Sequence, residues 1–185
     1  HYQGDILREE QQRHGALVTR WVERVWPRRA PMAPSARGRL RVAFASAHLR
    51  HHTVWKMFRG WIEGLDRARF EVWALHLGSR TDAVSRQLEA GVDHWIAGLA
   101  TNEAWVDAIA AARLDAIVYL DIGMDGLTQL LAAQRLAPQQ CVAWGHPVTT
   151  GLGTIDRFLS SAAMEPPAAE AHYTERLERL PGLGI

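Results

Sequence analysis

The sequence predicts an α/β fold: a Rossmann-like parallel sheet with helices on both faces, one lobe in size, preceded by an N-terminal helix. Three observations predict it. From residue 40 onward, short apolar runs alternate with segments of helical period, the pattern of repeated βα units. The runs are nearly continuous in apolar character, as strands covered on both faces must be. Three of them end in loops crowded with polar side chains, at the edge where open α/β sheets bind ligands.

In chain order, residues 5–26 read as an amphipathic helix, with Ile6, Leu7, Leu17, Val18, Trp21, Val22 and Val25 at roughly helical spacing. Pro27-Arg28-Arg29-Ala30-Pro31-Met32-Ala33-Pro34-Ser35 stops it and reads as a linker. The helix is expected either to pack on something outside this chain or to lie across the main domain. Residues 1–38 therefore form a leading helix and linker, and 39–185 the Rossmann-like domain. That domain opens with a strand at 40–46. A helix follows from Thr53 to Leu65, with Thr53 as its expected N-cap. A strand at 70–77, a short helix at 81–90 and a short strand at 92–96 come next. Residues 103–113 read as a helix, 115–120 as a strand, and 127–136 as a helix that ends before Pro138. Strands are expected at 140–144 and 156–160, and Pro166 and Pro167 open a last helix through Tyr173.

Composition narrows the function classes. A chain of 185 residues builds one good core. A net charge of +1 gives no field to hold nucleic acid or an anionic membrane. Cys141 is the only cysteine, so an internal disulfide is impossible, and buried in an apolar run it is expected to be inert. No run approaches the roughly 20 apolar residues of a membrane span, and no secretory signal is visible. The chain starts at His1 rather than Met and is expected to be a piece of a longer protein, with cytoplasm as the default compartment. The phosphate-binding patterns G-x-G-x-x-G and G-x-x-x-x-G-K-[ST] are absent, which disfavours dinucleotide dehydrogenases and nucleoside triphosphatases.

The chemistry sits in three loops. The first is Ala47-His48-Leu49-Arg50-His51-His52-Thr53, before a helix N-terminus. Its histidines and arginine suit an anion or a general base near neutral pH; a solvated basic loop with a helix cap is the plain alternative. A metal is disfavoured, because no carboxylate or cysteine completes a zinc-like spacing. The second loop is Leu120-Asp121-Ile122-Gly123-Met124-Asp125-Gly126. Asp125 reads best as a helix cap, whereas Asp121 has no such simple role. The third is Trp144-Gly145-His146-Pro147-Val148-Thr149-Thr150-Gly151. Proline and glycine alone make a tight turn, but a turn needs neither His146 nor two threonines, which can donate to phosphate or sugar oxygens. Trp55, Phe58, Ile62 and Leu65 read as core, His14 as solvated, and His76 and His94 as satisfied core histidines.

Taken in order, these loops resemble the protein O-linked N-acetylglucosamine transferases of the SPINDLY type, in particular the bacterial branch whose catalytic region follows tetratricopeptide repeats. The matching stretches are Leu40 to Ser46, His51-His52-Thr53, Phe70-Glu71-Val72, Asp121 to Asp125, Leu136-Ala137-Pro138, Trp144 to Gly151, Ile155 to Ser161 and Glu170 to Leu180. They cover about residues 39–182, and their order and spacing together carry the resemblance. It implies the N-terminal lobe of a two-lobed GT-B glycosyltransferase. The helix at 5–26 would then lead in from the repeats. A C-terminal lobe would supply most contacts to the UDP-sugar, including a lysine near the diphosphate. The implied reaction is transfer of N-acetylglucosamine, or a related sugar, to protein Ser or Thr hydroxyls with inversion, with no metal and no cofactor beyond the UDP-sugar substrate. His52, His146 and Asp121 are the implied catalytic group: His52 positions or deprotonates the acceptor, His146 touches the sugar, and Asp121 holds His52 or a hydroxyl. His51, Thr53, Gly145, Pro147, Thr149, Thr150 and Gly151 are the implied substrate-binding residues. This chain departs from the pattern at His48 and Arg50, at Thr53 where relatives have proline, and at Asp121-Ile122-Gly123 where many have an asparagine-glycine or lysine-glycine element. Alone, the chain is expected to be inactive, and its exposed faces are expected to favour a homodimer. A Rossmann-like module that binds a peptide or phospho-ligand without chemistry, and a self-contained enzyme such as a sugar-phosphate isomerase, are the other readings.

Overall fold

The computed structural model describes residues 7–26 and 38–184, so the expected linker at 27–35 and the start of the expected helix at 5–26 lie outside the described residues. The leading helix, α1, runs Arg8–Val25. Seven strands follow: β1 Leu40–Ser46, β2 Phe70–His76, β3 His94–Ala97, β4 Ala116–Tyr119, β5 Gln139–Ala143, β6 Arg157–Ser161 and β7 Arg176–Leu180. Between them lie α2 Thr53–Glu63, α3 Ala83–Gly91, α4 Asn102–Ala112 and α5 Gly126–Ala132. All strand pairs are parallel, in the order β3-β2-β1-β4-β5-β6-β7. The sheet is Rossmann-like, as its sequence predicts. The strand order reverses between β1 and β4, and the crevice beyond their carboxyl ends is where such sheets take ligands.

Alternation along each strand builds two cores. Ala43 and Ala45 of β1, Leu75 of β2, Ile117 and Tyr119 of β4 and Val142 of β5 face one layer, where they meet Val22 of α1, Trp105 and Ile109 of α4 and Leu131 of α5. Phe44, Val72, Ala74, Val118, Cys141 and Ala143 face the other, against Val54, Trp55, Phe58 and Ile62 of α2 and Leu88 of α3. Both faces are thus covered, which is why the middles of the central strands, Ala43 to Ala45, Val72 to Leu75 and Ile117 to Tyr119, are apolar. Of the two alternatives for the first helix, α1 takes the second and lies across the domain, with Val22 only 1% exposed.

Several expectations are corrected. The helix expected from Pro166 to Tyr173 is one 3-10 turn, Ala169–His172, and the charged segment behind it is the edge strand β7. The cap of α2 is His52, not Thr53, which is the first helical residue. His94 is not a core histidine: it is exposed, bonded to Glu71 and stacked on Trp73. His76 is fully buried, with Nε2 against the Arg80 carbonyl and Nδ1 without a hydrogen-bond partner among the described residues. Among the described residues, no helix is long and apolar enough to cross a membrane.

Candidate active site

The first loop is fixed before it reaches its histidines. Leu49 is fully buried in the α2 layer. The Ser85 hydroxyl donates to the Leu49 carbonyl, and the His51 amide donates to Asp82, the cap of α3. From that anchored loop, His48 and His52 stack with ring centroids 4.1 Å apart and planes 15° from parallel. His52 Nδ1 accepts the Val54 amide at 3.2 Å. Its lone pair is therefore committed to capping α2, and in the neutral ring the proton sits on Nε2. In this arrangement His52 offers a donor rather than a base.

Asp121 ties this loop to β4. Its Oδ2 accepts from the Ser46 hydroxyl and the Ala47 amide, both at 2.9 Å, and His48 Nε2 stands 4.0 Å away. Asp121 was expected to hold His52 or a substrate hydroxyl; it accepts instead from Ser46 and Ala47, with His48 the nearest histidine. Burial pushes the Asp121 carboxyl up to about 6, against the pull of those two donors. Burial likewise lowers His48, His52 and His146, with His52 and Arg50 adding to the effect at His48. A neutral cluster is the cheapest way to keep these groups together out of water.

The third loop joins through Gly123. A Cβ at Gly123, which has φ +90°, would lie 3.3 Å from the His146 ring. His52 and His48 are stacked beside Asp121, and Gly123, two residues further along the same loop as Asp121, lies against the His146 ring. Gly145 needs its lack of a side chain because a Cβ there would lie 2.4 Å from the Leu120 carbonyl oxygen. Pro147, His51 and Thr53 are exposed at the rim of the same edge.

Thr149 and Thr150 are placed differently from expectation. Both are buried and spend their hydroxyls inside the protein. Thr149 Oγ1 donates to Glu175 Oε2 at 2.6 Å and accepts from the Thr174 amide. Thr150 donates to Glu175 Oε1 through its hydroxyl and, at 2.8 Å, its amide. Glu175, 6% exposed, is thus the residue that sets the turn, and sequence reasoning passes over it. Gly151, expected to face a ligand, faces α1 instead: a Cβ there would lie 1.9 Å from the Gln11 carbonyl oxygen. Cys141 is buried and its thiol is pushed up to about 11, which makes it inert. Among the described residues, no group of three or more His, Cys, Asp or Glu side chains could hold a metal ion.

A doubly covered parallel sheet with a histidine-rich crevice at its switch point is the class of fold that forms one lobe of a GT-B glycosyltransferase. Comparison with known proteins narrows it. No family model matches the chain. It is 27% identical to an O-GlcNAc transferase mutant, K341M, of Thermobaculum terrenum, with a TM-score of 0.77 over 94% of this chain and 35% of that structure. Over 49 residues, 26% of the chain, it is 47% identical to a probable UDP-N-acetylglucosamine–peptide N-acetylglucosaminyltransferase SPINDLY of Solanum lycopersicum. The chain is O-GlcNAc-transferase-like and SPINDLY-like in fold and in sequence. It spans about a third of the solved relative and 5% of the curated one.

Proposed function

We propose that residues 39–185 are the acceptor-side lobe of an inverting glycosyltransferase. The enzyme moves N-acetylglucosamine, or a related sugar, from a UDP-sugar to a Ser or Thr hydroxyl of a protein. The observation that carries this reading is the placing of His52, His48 and Asp121 on one loop pair, with the Asp121 loop against His146 through Gly123, at the switch point of a sheet with O-GlcNAc-transferase likeness. In the reaction the acceptor oxygen bonds to the anomeric carbon as the bond to the diphosphate breaks, UDP departs, and the hydroxyl proton passes to water. Such a step needs alignment and stabilisation of developing charge more than a strong base. His52, held as an Nε2–H donor, orients the acceptor. His146 contacts the sugar, and Asp121 fixes His48 behind His52. Thr149, Thr150 and Glu175 shape the turn that presents His146.

The UDP moiety binds on a second lobe outside this chain. The helix α1 follows tetratricopeptide repeats in the longer protein, and the setting is the bacterial cytoplasm. By itself the chain transfers no sugar, and it can pair with a second copy through its exposed faces.

The test is UDP-sugar-dependent transfer to lysate proteins by the full-length protein. His52→Asn keeps a side-chain acceptor for the α2 cap while removing the imidazole. We expect it and His146→Ala to lower transfer at least about tenfold, with unfolding midpoints close to wild type. If the wild-type protein transfers no UDP-sugar at all, the site is a binding module and the reaction is wrong.

A further inference from the structure

His146 borders more than the switch-point crevice. It also lines a cavity of about 350 Å³ whose opposite wall is α1, with Glu10, Gln11 and His14 on the helix and Ile122, Gln129 and Val148 on the body. That volume is in the range that encloses a small ligand or a long side chain. The wall is held in place. Gly15 and Gly151 meet backbone to backbone, and a Cβ on either would lie about 2 Å from a carbonyl oxygen of the other element. Gln129 Nε2 reaches His14 Nδ1 at 3.5 Å, joining helix to body.

The lining has a definite chemistry. Glu10 is its only acidic residue on α1, and no lysine or arginine lines it. The carboxylate repels phosphate and other anions, and among the described residues the other titratable groups on the wall are His14 and His146. Ile122 and Val148 offer an apolar surface of the kind that carries a lysine or arginine stem, while its charged head stays near a carboxylate.

We propose that this cavity is an acceptor subsite that takes a lysine or arginine side chain of the polypeptide, one or two residues from the Ser or Thr held at His52 and His146. The position of the hydroxyl rests on the transferase reading; the preference for a basic flank is a property of the cavity.

The experiment titrates the ¹⁵N-labelled chain with two serine peptides that differ at one position, Lys or Glu two residues from the serine. Binding is followed at the amides of Gly123 and Gly151 and at the Gln129 side chain. The Lys peptide should bind about two- to fivefold more tightly, the size of one exposed ion pair. Glu10→Gln should erase the preference and Glu10→Lys reverse it. Arg13→Glu, which changes the charge of the same helix outside the cavity, should leave it intact. The Trp26 indole resonance reports that α1 stays docked in each variant. Equal binding of both peptides, no shift with either, or a preference that survives Glu10→Lys would overturn the subsite. Sugar transfer by the full-length protein without any peptide preference sinks the subsite alone. Preference without transfer keeps the subsite and sinks the reaction.

Discussion

At Asp121, burial and hydrogen bonding act in opposite directions, and the result sets a pH dependence. Its folded value of about 6 lies above the ordinary 3.8, so the folded chain holds this proton more tightly than the unfolded one. That contribution to stability is complete below pH 3.8 and lost as the pH rises through about 6. His48, His52, His76 and His146 are held below 6.5, chiefly by burial. Their contribution has the other sign: present above pH 6.5 and lost as the pH falls through their lowered values. Asp121→Asn removes the first effect and keeps the second. Its stability should therefore fall more steeply than wild type between pH 7 and 4, by on the order of 2–3 kcal/mol. Urea unfolding at several pH values checks this, and parallel wild-type and variant curves would refute it. Glu175→Gln puts a donor in place of one of two oxygens that together accept three hydrogen bonds. We expect a loss of about 2 kcal/mol with an unchanged urea m-value. Asp121, His52 and His146 were legible in the sequence as polar residues just past apolar runs. Glu175 was not, because its partners lie 25 residues away and it sits in a charged stretch that reads as surface. His48 drew notice only as one of three loop histidines; its stacking and its closeness to Asp121 need the β1–β4 pairing to appear.

Among the elements, α1 is the one whose placement sequence left open. Its apolar positions fit either a contact outside the chain or one within it, and the structure shows the second. Val22 is buried on the sheet layer, whereas Leu17, Trp21 and Val25 are about half exposed. The deciding residue is Gly15. In an exposed helix, glycine to alanine gains up to about 1 kcal/mol. Here the new Cβ would lie 2.1 Å from the Gly151 carbonyl oxygen. The sign reverses, and Gly15→Ala should destabilise by roughly 2 kcal/mol, or lower the Tm by about 4–8 °C. A Tm at or above wild type would show that α1 does not seat on the β5–β6 loop. The other helices were legible because their apolar residues repeat cleanly and Asp125 announces a cap. The strand β7 was not. Its sequence Arg-Leu-Glu-Arg-Leu is too charged for a buried strand, yet it suits the edge of a sheet, where charge discourages further pairing. The His52 cap of α2 was not legible because histidine is outside the usual Ser, Thr, Asp and Asn caps, although its Nδ1 accepts the Val54 amide as their oxygens do.

For the molecule as a whole, the parallel pairing and the coverage of both faces followed from the sequence because β and α segments alternate, whereas the strand order did not. What could not be read was which loops meet. The sheet consists of two halves, β1 to β3 and β4 to β7, joined along the β1–β4 ladder. His48 and His52 belong to the first half and Asp121 and His146 to the second. The stitches between them, Ser46 to Asp121 and Ala47 to Asp121, close loops of 75 and 74 residues. Contacts that distant form late, after each half has gained its local structure. The histidine cluster is therefore a clock for the end of folding. A sheet with one half made holds His48 and His52 without Asp121 and His146, or the reverse, so the cluster is complete only when the β1–β4 ladder has closed.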